Sequence, residues 1–287
     1  MVKISLSAFS DEAGNSISEQ IHALKINGIG YSELRSVDKT SVLNFTEKQS
    51  KEYFTALSDN GIKVWAIGSP LGKDDISLDR TALIDKTKRL CETAKIFDTD
   101  KIRMFSFFSA YEQREKVMEN LNLLVEIASS YGVELYHENE KDIYGDTADR
   151  VLDIMNNVKG LKFVYDPANF LQVGEKAQKT LELLHAKSDY FHIKDVITKT
   201  GQIVPAGYGD GEIDKLIKMI DRDVTLTIEP HLAVFDSFKS IDNTEMKHKF
   251  IYKDNLSAFG SAIESIKKIL IDNGFENKNN VYVKGDK

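Results

Sequence analysis

A single cysteine, Cys91, in 287 residues excludes an intramolecular disulfide and any site built on several thiolates, zinc ribbons and iron–sulfur clusters included. Four prolines are too few for a Pro-rich linker or a disordered scaffold. Positive charge is in deficit, with 38 Lys and Arg against 45 Asp and Glu and a net charge of -7. That balance argues against a general phosphate-backbone binder, whose affinity rests on clustered Lys and Arg. No stretch approaches the roughly 20 apolar residues that a spanning helix requires. The opening MVKISLSAFSDEAG is too short for a secretory apolar core and carries no cleavage pattern. The expectation is a cytoplasmic protein with neither membrane nor nucleic acid as partner.

What the chain does have is 41% hydrophobic and 29% charged residues, enough to bury a large core without staples. Its length suits two domains or one α/β barrel of about 250 residues. The pattern decides between them. Short runs of β-branched and aromatic residues alternate with longer segments whose apolar residues recur at helical spacing. Strands are expected at residues 2–9, 30–34, 63–68, 102–107, 133–138, 161–165, 190–193 and 224–228. Helices are expected from about 17, from 46, and over 79–97, 110–131, 147 onward, 176–186, 212–220 and 256–272. Eight strand–helix units without a compositional break predict an α/β fold, a single closed (β/α)8 TIM barrel over residues 1–275. An open doubly wound sheet would usually carry a Gly-rich turn after its first strand, where this chain has Ser10, Asp11 and Glu12. Residues 276–287 form a polar tail that is expected to be frayed.

In such a barrel the residues just past each strand converge on one pocket. Strand five ends in Tyr136-His137-Glu138-Asn139-Glu140 and strand six in Tyr165-Asp166-Pro167-Ala168-Asn169. Strand seven ends in Phe191-His192-Ile193-Lys194-Asp195 and strand eight in Ile228-Glu229-Pro230-His231. Four successive strands therefore each deliver one metal-competent residue: Glu138, Asp166, His192 and Glu229. Taken singly, each acid could instead cap the following helix or pair with a rim lysine. Taken together, three carboxylates and an imidazole would repel and desolvate one another unless a cation joined them. One divalent ion resolves the conflict, and mixed oxygen and nitrogen donors suit manganese, magnesium, cobalt or zinc.

The segments FSDEAG (9–14), YSELR (31–35), GSPLGK (68–73), HENEKDIYGDT (137–147), YDPANF (165–170), HIKD (192–195), GYGDGEI (207–213) and IEPH (228–231) resemble the xylose-isomerase-like barrel superfamily. More narrowly they resemble its sugar phosphate isomerase/epimerase branch, grouped with the family 2 AP endonucleases. The resemblance implies a one-metal site with Glu138, Asp166, His192 and Glu229 as ligands. It also implies that Glu138 and Glu229 move the proton, as base and acid on opposite faces of the substrate. The chemistry is intelligible in its own right. Removing a proton next to a carbonyl leaves negative charge on oxygen; a metal stabilises that enediolate while a carboxylate takes the proton. One base returning the proton to the adjacent carbon makes an isomerase, and two flanking bases make an epimerase. Loss of a neighbouring hydroxyl from the same enediolate would make a dehydratase or lyase, and a silent carbohydrate-binding relative is the non-catalytic alternative. The DNA-repair members of the superfamily use three zinc ions and several further histidines. Here Asn169 stands where the DxxH histidine would be, so DNA cleavage is not expected.

Further residues are candidates for a small sugar-like substrate. Glu33 and Arg35, at the end of strand two, could bind hydroxyls or pair with each other. Lys73 could meet a phosphate or carboxylate, or be a solvated loop lysine. Asn169 can hydrogen-bond a hydroxyl but cannot shuttle a proton near neutral pH. Lys194 and His231 lie two residues past His192 and Glu229, so strand alternation turns them to the same side. His137 should point away from the pocket. Arg103 and the aromatics around it could shape an apolar wall, or simply pack the core. The GYGDG segment reads as a flexible lid. The oligomeric state is left open, a homo-oligomer included.

Overall fold

The computed structural model describes residues 1–232 and 252–285. Eight parallel strands close on themselves: β1 (Val2–Ala8), β2 (Tyr31–Leu34), β3 (Lys63–Gly68), β4 (Lys101–Met104), β5 (Glu134–Glu138), β6 (Lys162–Tyr165), β7 (Tyr190–Ile193) and β8 (Val224–Ile228). Closure is direct, since Ile4–Ala8 of β1 pairs in parallel with Val224–Ile228 of β8. The helices are α1 (Ile17–Ile26), α2 (Glu47–Asp59), α3 (Arg80–Ile96), α4 (Arg114–Ser130), α5 (Ala148–Asn157), α6 (Pro167–Gln172), α7 (Ala177–Leu184), α8 (Ile213–Met219) and α9 (Asn255–Asp272). Their starts follow local chemistry. Ser16 with Glu19, and Thr46 with Gln49, form reciprocal capping boxes, and Asp79 accepts the amides of Thr81 and Ala82. The expected (β/α)8 barrel is the fold observed.

Strand alternation divides the core in two. Side chains facing outward pack beneath the helices in one large apolar cluster. Inside the barrel a smaller cluster of Ala66, Tyr136, Val164 and Tyr190, with Trp65 against it, forms a floor of edge-on rings; Tyr136 and Tyr190 lie 5.5 Å apart and Trp65 and Tyr190 6.0 Å apart. Two residues further up β5, β6 and β7 the inward side chains are Glu138, Asp166 and His192. The barrel therefore has a dry aromatic base and a polar mouth.

Two regions depart from the sequence expectation. Strand four stops at Met104 and α4 begins at Arg114, not near 110. The chain between them is used to join loops: the amides of Phe105 and Phe107 donate to the carbonyls of Leu71 and Gly72, and Tyr144 N–H donates to Phe107 O. Gly72 has φ +80, and a Cβ there would lie 2.1 Å from Phe105 O, so this junction requires glycine. The second departure is the C-terminus. Residues expected to fray form a hairpin of β9 (Glu276–Lys278) and β10 (Val281–Lys284). Strand β10 pairs antiparallel with Val2–Ser5 of β1. The reason lies in β2, which begins only opposite Ser7 and leaves the lower half of β1 without a neighbour on that side. Among the described residues no helix is long and apolar enough to cross a membrane.

Candidate metal centre

Side-chain alternation at the ends of β5, β7 and β8 turns Glu138 and Glu140, His192 and Lys194, and Glu229 and His231 inward as pairs, and Asp166 joins them at the end of β6. Glu138, Asp166, His192 and Glu229 are all buried, and one donor atom from each lies within 4.8 Å of the others. These are the four residues the sequence singled out. Each is oriented by its surroundings. Asp166 caps α6, its Oδ1 accepting the Asn169 amide at 2.9 Å with Pro167 in the first turn. Asn139 clamps the same point, accepting Asp166 N–H and donating to Asp166 O, each at 2.9 Å. The Asn169 side-chain amide donates to Glu138 Oε1 at 3.2 Å and to Asn139 O at 2.9 Å.

His192 stands between carboxylates. Its Nδ1 is 3.0 Å from Glu138 Oε1 and 3.7 Å from Glu229 Oε2, and its Nε2 is 2.9 Å from Glu33 Oε2. Burial disfavours the imidazolium, but Glu138 and Glu33 outweigh it and hold His192 well above the ordinary imidazole range. Burial opposes the charge on Glu33 too, yet His192 and Arg103 keep this carboxyl below its usual range. Glu33 also accepts the Tyr190 hydroxyl, so it joins the site to the aromatic floor. A carboxylate behind the second nitrogen of a ligating histidine fixes the ring and its tautomer. Glu33 is thus committed to His192, Tyr190 and Arg103, and it does not pair with Arg35.

Arg35 instead forks onto Asp11, with Nε–Oδ2 at 2.9 Å and Nη2–Oδ1 at 3.0 Å, and reaches Glu12 at 3.3 Å and Glu229 Oε1 at 3.5 Å. Arg103 lies 3.2 Å from Glu138 Oε2 and 3.3 Å from Glu33 Oε1. Both guanidinium groups stack on Phe9, at 4.4 and 5.4 Å, and Arg103 also covers Phe105 at 4.7 Å. Each of the two candidate proton-moving glutamates therefore has one arginine at its outer oxygen. His231 Nε2 is 3.2 Å from Glu229 Oε1 and 3.3 Å from Glu12 Oε1, and its backbone amide donates to Glu12 Oε2 at 2.7 Å. Burial lowers the His231 imidazole to about 4 and raises the Glu12 carboxyl to about 8. Glu12, Glu229 and His231 form a second acid–imidazole group, but Arg35 already supplies its positive charge.

Lys194 Nζ lies 3.0 Å from Asp166 Oδ2 and 3.1 Å from Glu229 Oε2. Lys73 caps the rim, 3.0 Å from Glu140 Oε2 and 4.5 Å above the Phe105 ring, with both members of the pair partly accessible. His137 points away, as its position predicts, and meets the Ser106 hydroxyl at 2.9 Å. The GYGDG segment is not a loose lid. Asp195 accepts the amides of Gly207, Gly209 and Gly211, each at 2.9 Å, and a Cβ on Gly209 would come within 2.3 Å of Asp195 Oδ1.

The donor set fits a divalent ion. Asp166 Oδ2 is buried and makes no well-aligned hydrogen bond despite the nearby ammonium, which leaves it directed at the centre of the group. Hard oxygen donors with one imidazole suit the ions named above. Sequence reasoning missed Asp11, Glu12 and Tyr190 as members of this network and read Arg103 as wall. A charged residue inside a buried strand (Arg103) and an acidic pair directly after the first strand were the available signals.

The sequence profile of the family described as xylose isomerase-like TIM barrel matches residues 21–246. No curated protein matches the chain. Among solved structures, the chain is similar to the probable 3-DHS dehydratase AsbF of Bacillus anthracis at 17% identity and a TM-score of 0.70, covering 93% of this chain and 99% of that one. It is similar to D-allulose 3-epimerase of Methylomonas sp. at 13% identity and a TM-score of 0.71, covering 94% and 99%. It also matches a xylose isomerase-like TIM barrel protein of Mycobacterium smegmatis in complex with magnesium, at 15% identity and a TM-score of 0.66, covering 95% and 98%.

Proposed function

The chain belongs to the xylose isomerase-like TIM barrel family, and on that premise we propose that it is a divalent-metal-dependent isomerase or epimerase of a sugar, sugar phosphate or keto-polyol. The observation that carries this reading is the buried group of Glu138, Asp166, His192 and Glu229 on four successive strand ends. These four would hold the ion. Its part is to supply positive charge where negative charge develops on the substrate's carbonyl oxygen. The protein's own residues do the rest. Glu138 and Glu229 both approach His192 Nδ1, at 3.0 and 3.7 Å, and with a substrate held between them one carboxylate would take a proton from carbon while the other returns one. Arg103 and Arg35 hold their outer oxygens and fix which oxygen of each faces the reacting carbon. Asn169 orients Glu138 from below. At the rim, Lys73 with Glu140, Lys194 and His231 are the groups left to read substrate hydroxyls. The aromatic floor beneath the site keeps water from approaching through the barrel.

The test is metal analysis of the purified protein beside a Glu138→Gln variant, followed by incubation in deuterated water with ketoses, inososes and their phosphates and added manganese. One bound divalent ion per chain and deuterium appearing next to the carbonyl of one sugar are the expected results. No divalent ion in the wild-type protein would overturn the reading. Loss of water from the substrate would transfer it to the dehydratase alternative, which shares the same first proton abstraction. Thermal stabilisation by a sugar without exchange would mark a binding protein.

A further inference from the structure

The oxygens of the metal group are used unequally. Asp166 commits Oδ1 to the Asn169 amide, and Glu229 turns Oε1 toward His231 and Arg35. That leaves Asp166 Oδ2 and Glu229 Oε2 to face the centre, and both face one ammonium group, Lys194 Nζ, at 3.0 and 3.1 Å. Lys194 is itself buried and is delivered by β7 on the same inward row as His192.

We propose that Lys194 is an internal counter-cation that competes with the metal: it holds the acidic group together when no ion is bound and weakens the affinity for a divalent ion when one is. The inference rests on the reading that this group binds such an ion. The physical reason is twofold. The ammonium engages the oxygens that two of the four ligands would offer, at 3.0 and 3.1 Å, and its positive charge would repel a second cation drawn to them, in a region sheltered from solvent screening. Without Lys194, Asp166 would lose its ammonium partner at 3.0 Å, whereas Glu138 would keep Arg103 and Glu229 would keep Arg35. Glu140 is a further carboxylate near the ammonium, already paired with Lys73 at 3.0 Å. It lies two residues past Glu138 on the same row, and although burial opposes its charge, Lys73 and Lys194 hold its carboxyl below the usual range. The affinity of the site for a divalent ion is then set in part by how firmly Lys194 holds these ligand oxygens.

The experiment measures Mn2+ binding by calorimetry on full-length, chelator-treated protein, together with thermal unfolding in EDTA. Lys194→Gln removes the charge and keeps a hydrogen-bonding group; about tenfold tighter Mn2+ binding and a lower unfolding temperature in EDTA are expected. Lys194→Arg keeps the charge and should bind Mn2+ as the wild type does. Glu140→Gln removes a negative charge that offsets the ammonium from the same inward row and should weaken Mn2+ binding, the opposite direction to Lys194→Gln. That variant keeps the idea testable should Lys194→Gln fail to fold without metal. Unchanged or weaker Mn2+ binding by folded Lys194→Gln, or unchanged binding by Glu140→Gln, would overturn the competitor role alone. Failure of the wild-type protein to bind Mn2+ would overturn this inference together with the function on which it rests.

Discussion

His137 and His192 stand on β5 and β7, both almost wholly buried, and their surroundings drive them to opposite charge states. His192 lies between Glu138 and Glu33, and its charged form is favoured against the cost of burial. Among the described residues His137 hydrogen-bonds only the Ser106 hydroxyl, and burial takes its imidazole down to about 3. The sign of the consequence follows from linkage. The unfolded imidazole binds a proton near pH 6.5 and the folded one does not, so the full stability is present above 6.5 and is lost as pH falls toward 3. At pH 5 the loss from this one residue is about 2 kcal/mol. A His137→Gln variant cannot titrate, so urea unfolding at pH 7 and pH 5 should show the wild type losing about 2 kcal/mol more than the variant. Parallel losses would show that His137 is not the acid-sensitive group. At this scale much was legible in the sequence. Alternation in HENE, HIKD and EPH places Glu138, His192 and Glu229 inward, with Glu140, Lys194 and His231 beside them, and turns His137 out. Pairings such as Arg103 with Glu33, or Arg35 with Asp11, were not legible. They join residues 70 and 24 positions apart across the barrel mouth, and no periodicity encodes which cation meets which anion.

Among the elements, the 205–212 segment shows how a local pattern misleads. Its glycines suggest freedom, but three of them donate their amides to one carboxylate, Asp195, which also accepts its neighbour Val196 N–H. Here glycine provides room for close approach, not mobility, and the loop is a clamp on the end of β7 beside Lys194. Burial raises the Asp195 carboxyl, while the four amides act to keep it charged. Replacing Asp195 with alanine would leave these donors without an acceptor in a largely buried place, a cost of roughly 3 kcal/mol. The expected result is a lower unfolding temperature and faster proteolytic cleavage within 205–212, with mass spectrometry locating the cut. A variant as resistant as the wild type in that loop would show that the clamp is redundant. The junction at Gly72 is the same lesson in another loop. The sequence leaves Lys73 of GSPLGK as either an anion-meeting or a solvated lysine; the structure uses the loop's backbone to carry the chain leaving β4 and holds Lys73 over Phe105.

For the molecule as a whole, eight repeats of one strand–helix unit were readable because each unit repeats the same switch from alternating to helical spacing. How the barrel completes its lower edge was not readable, because that depends on how far up β2 begins. Strand β1 meets β8 along Ile4–Ala8 but meets β2 only at Ser7 and Ala8, so its backbone groups at Val2–Ser5 would face solvent on one side. The C-terminal hairpin covers them, and Tyr282 and Phe275 anchor it in the main core at 2% exposure each. Its outer strand, Glu276–Lys278, is polar and exposed, as suits a sheet edge that must not recruit another chain. Deleting residues 276–287 removes this cover and one buried tyrosine, at a cost of about 4 kcal/mol. For a chain of this size that corresponds to a fall in unfolding temperature on the order of 10 °C. The candidate metal centre sits at the opposite end of the strands, so Mn2+ affinity of the truncated protein, measured well below its transition, should equal that of the full chain. An unfolding temperature unchanged by truncation would mean that β1 tolerates a bare lower edge. A loss of Mn2+ affinity in the folded truncated protein would mean that strain passes from the base of the barrel to its mouth, against the separation of a structural floor from a chemical rim.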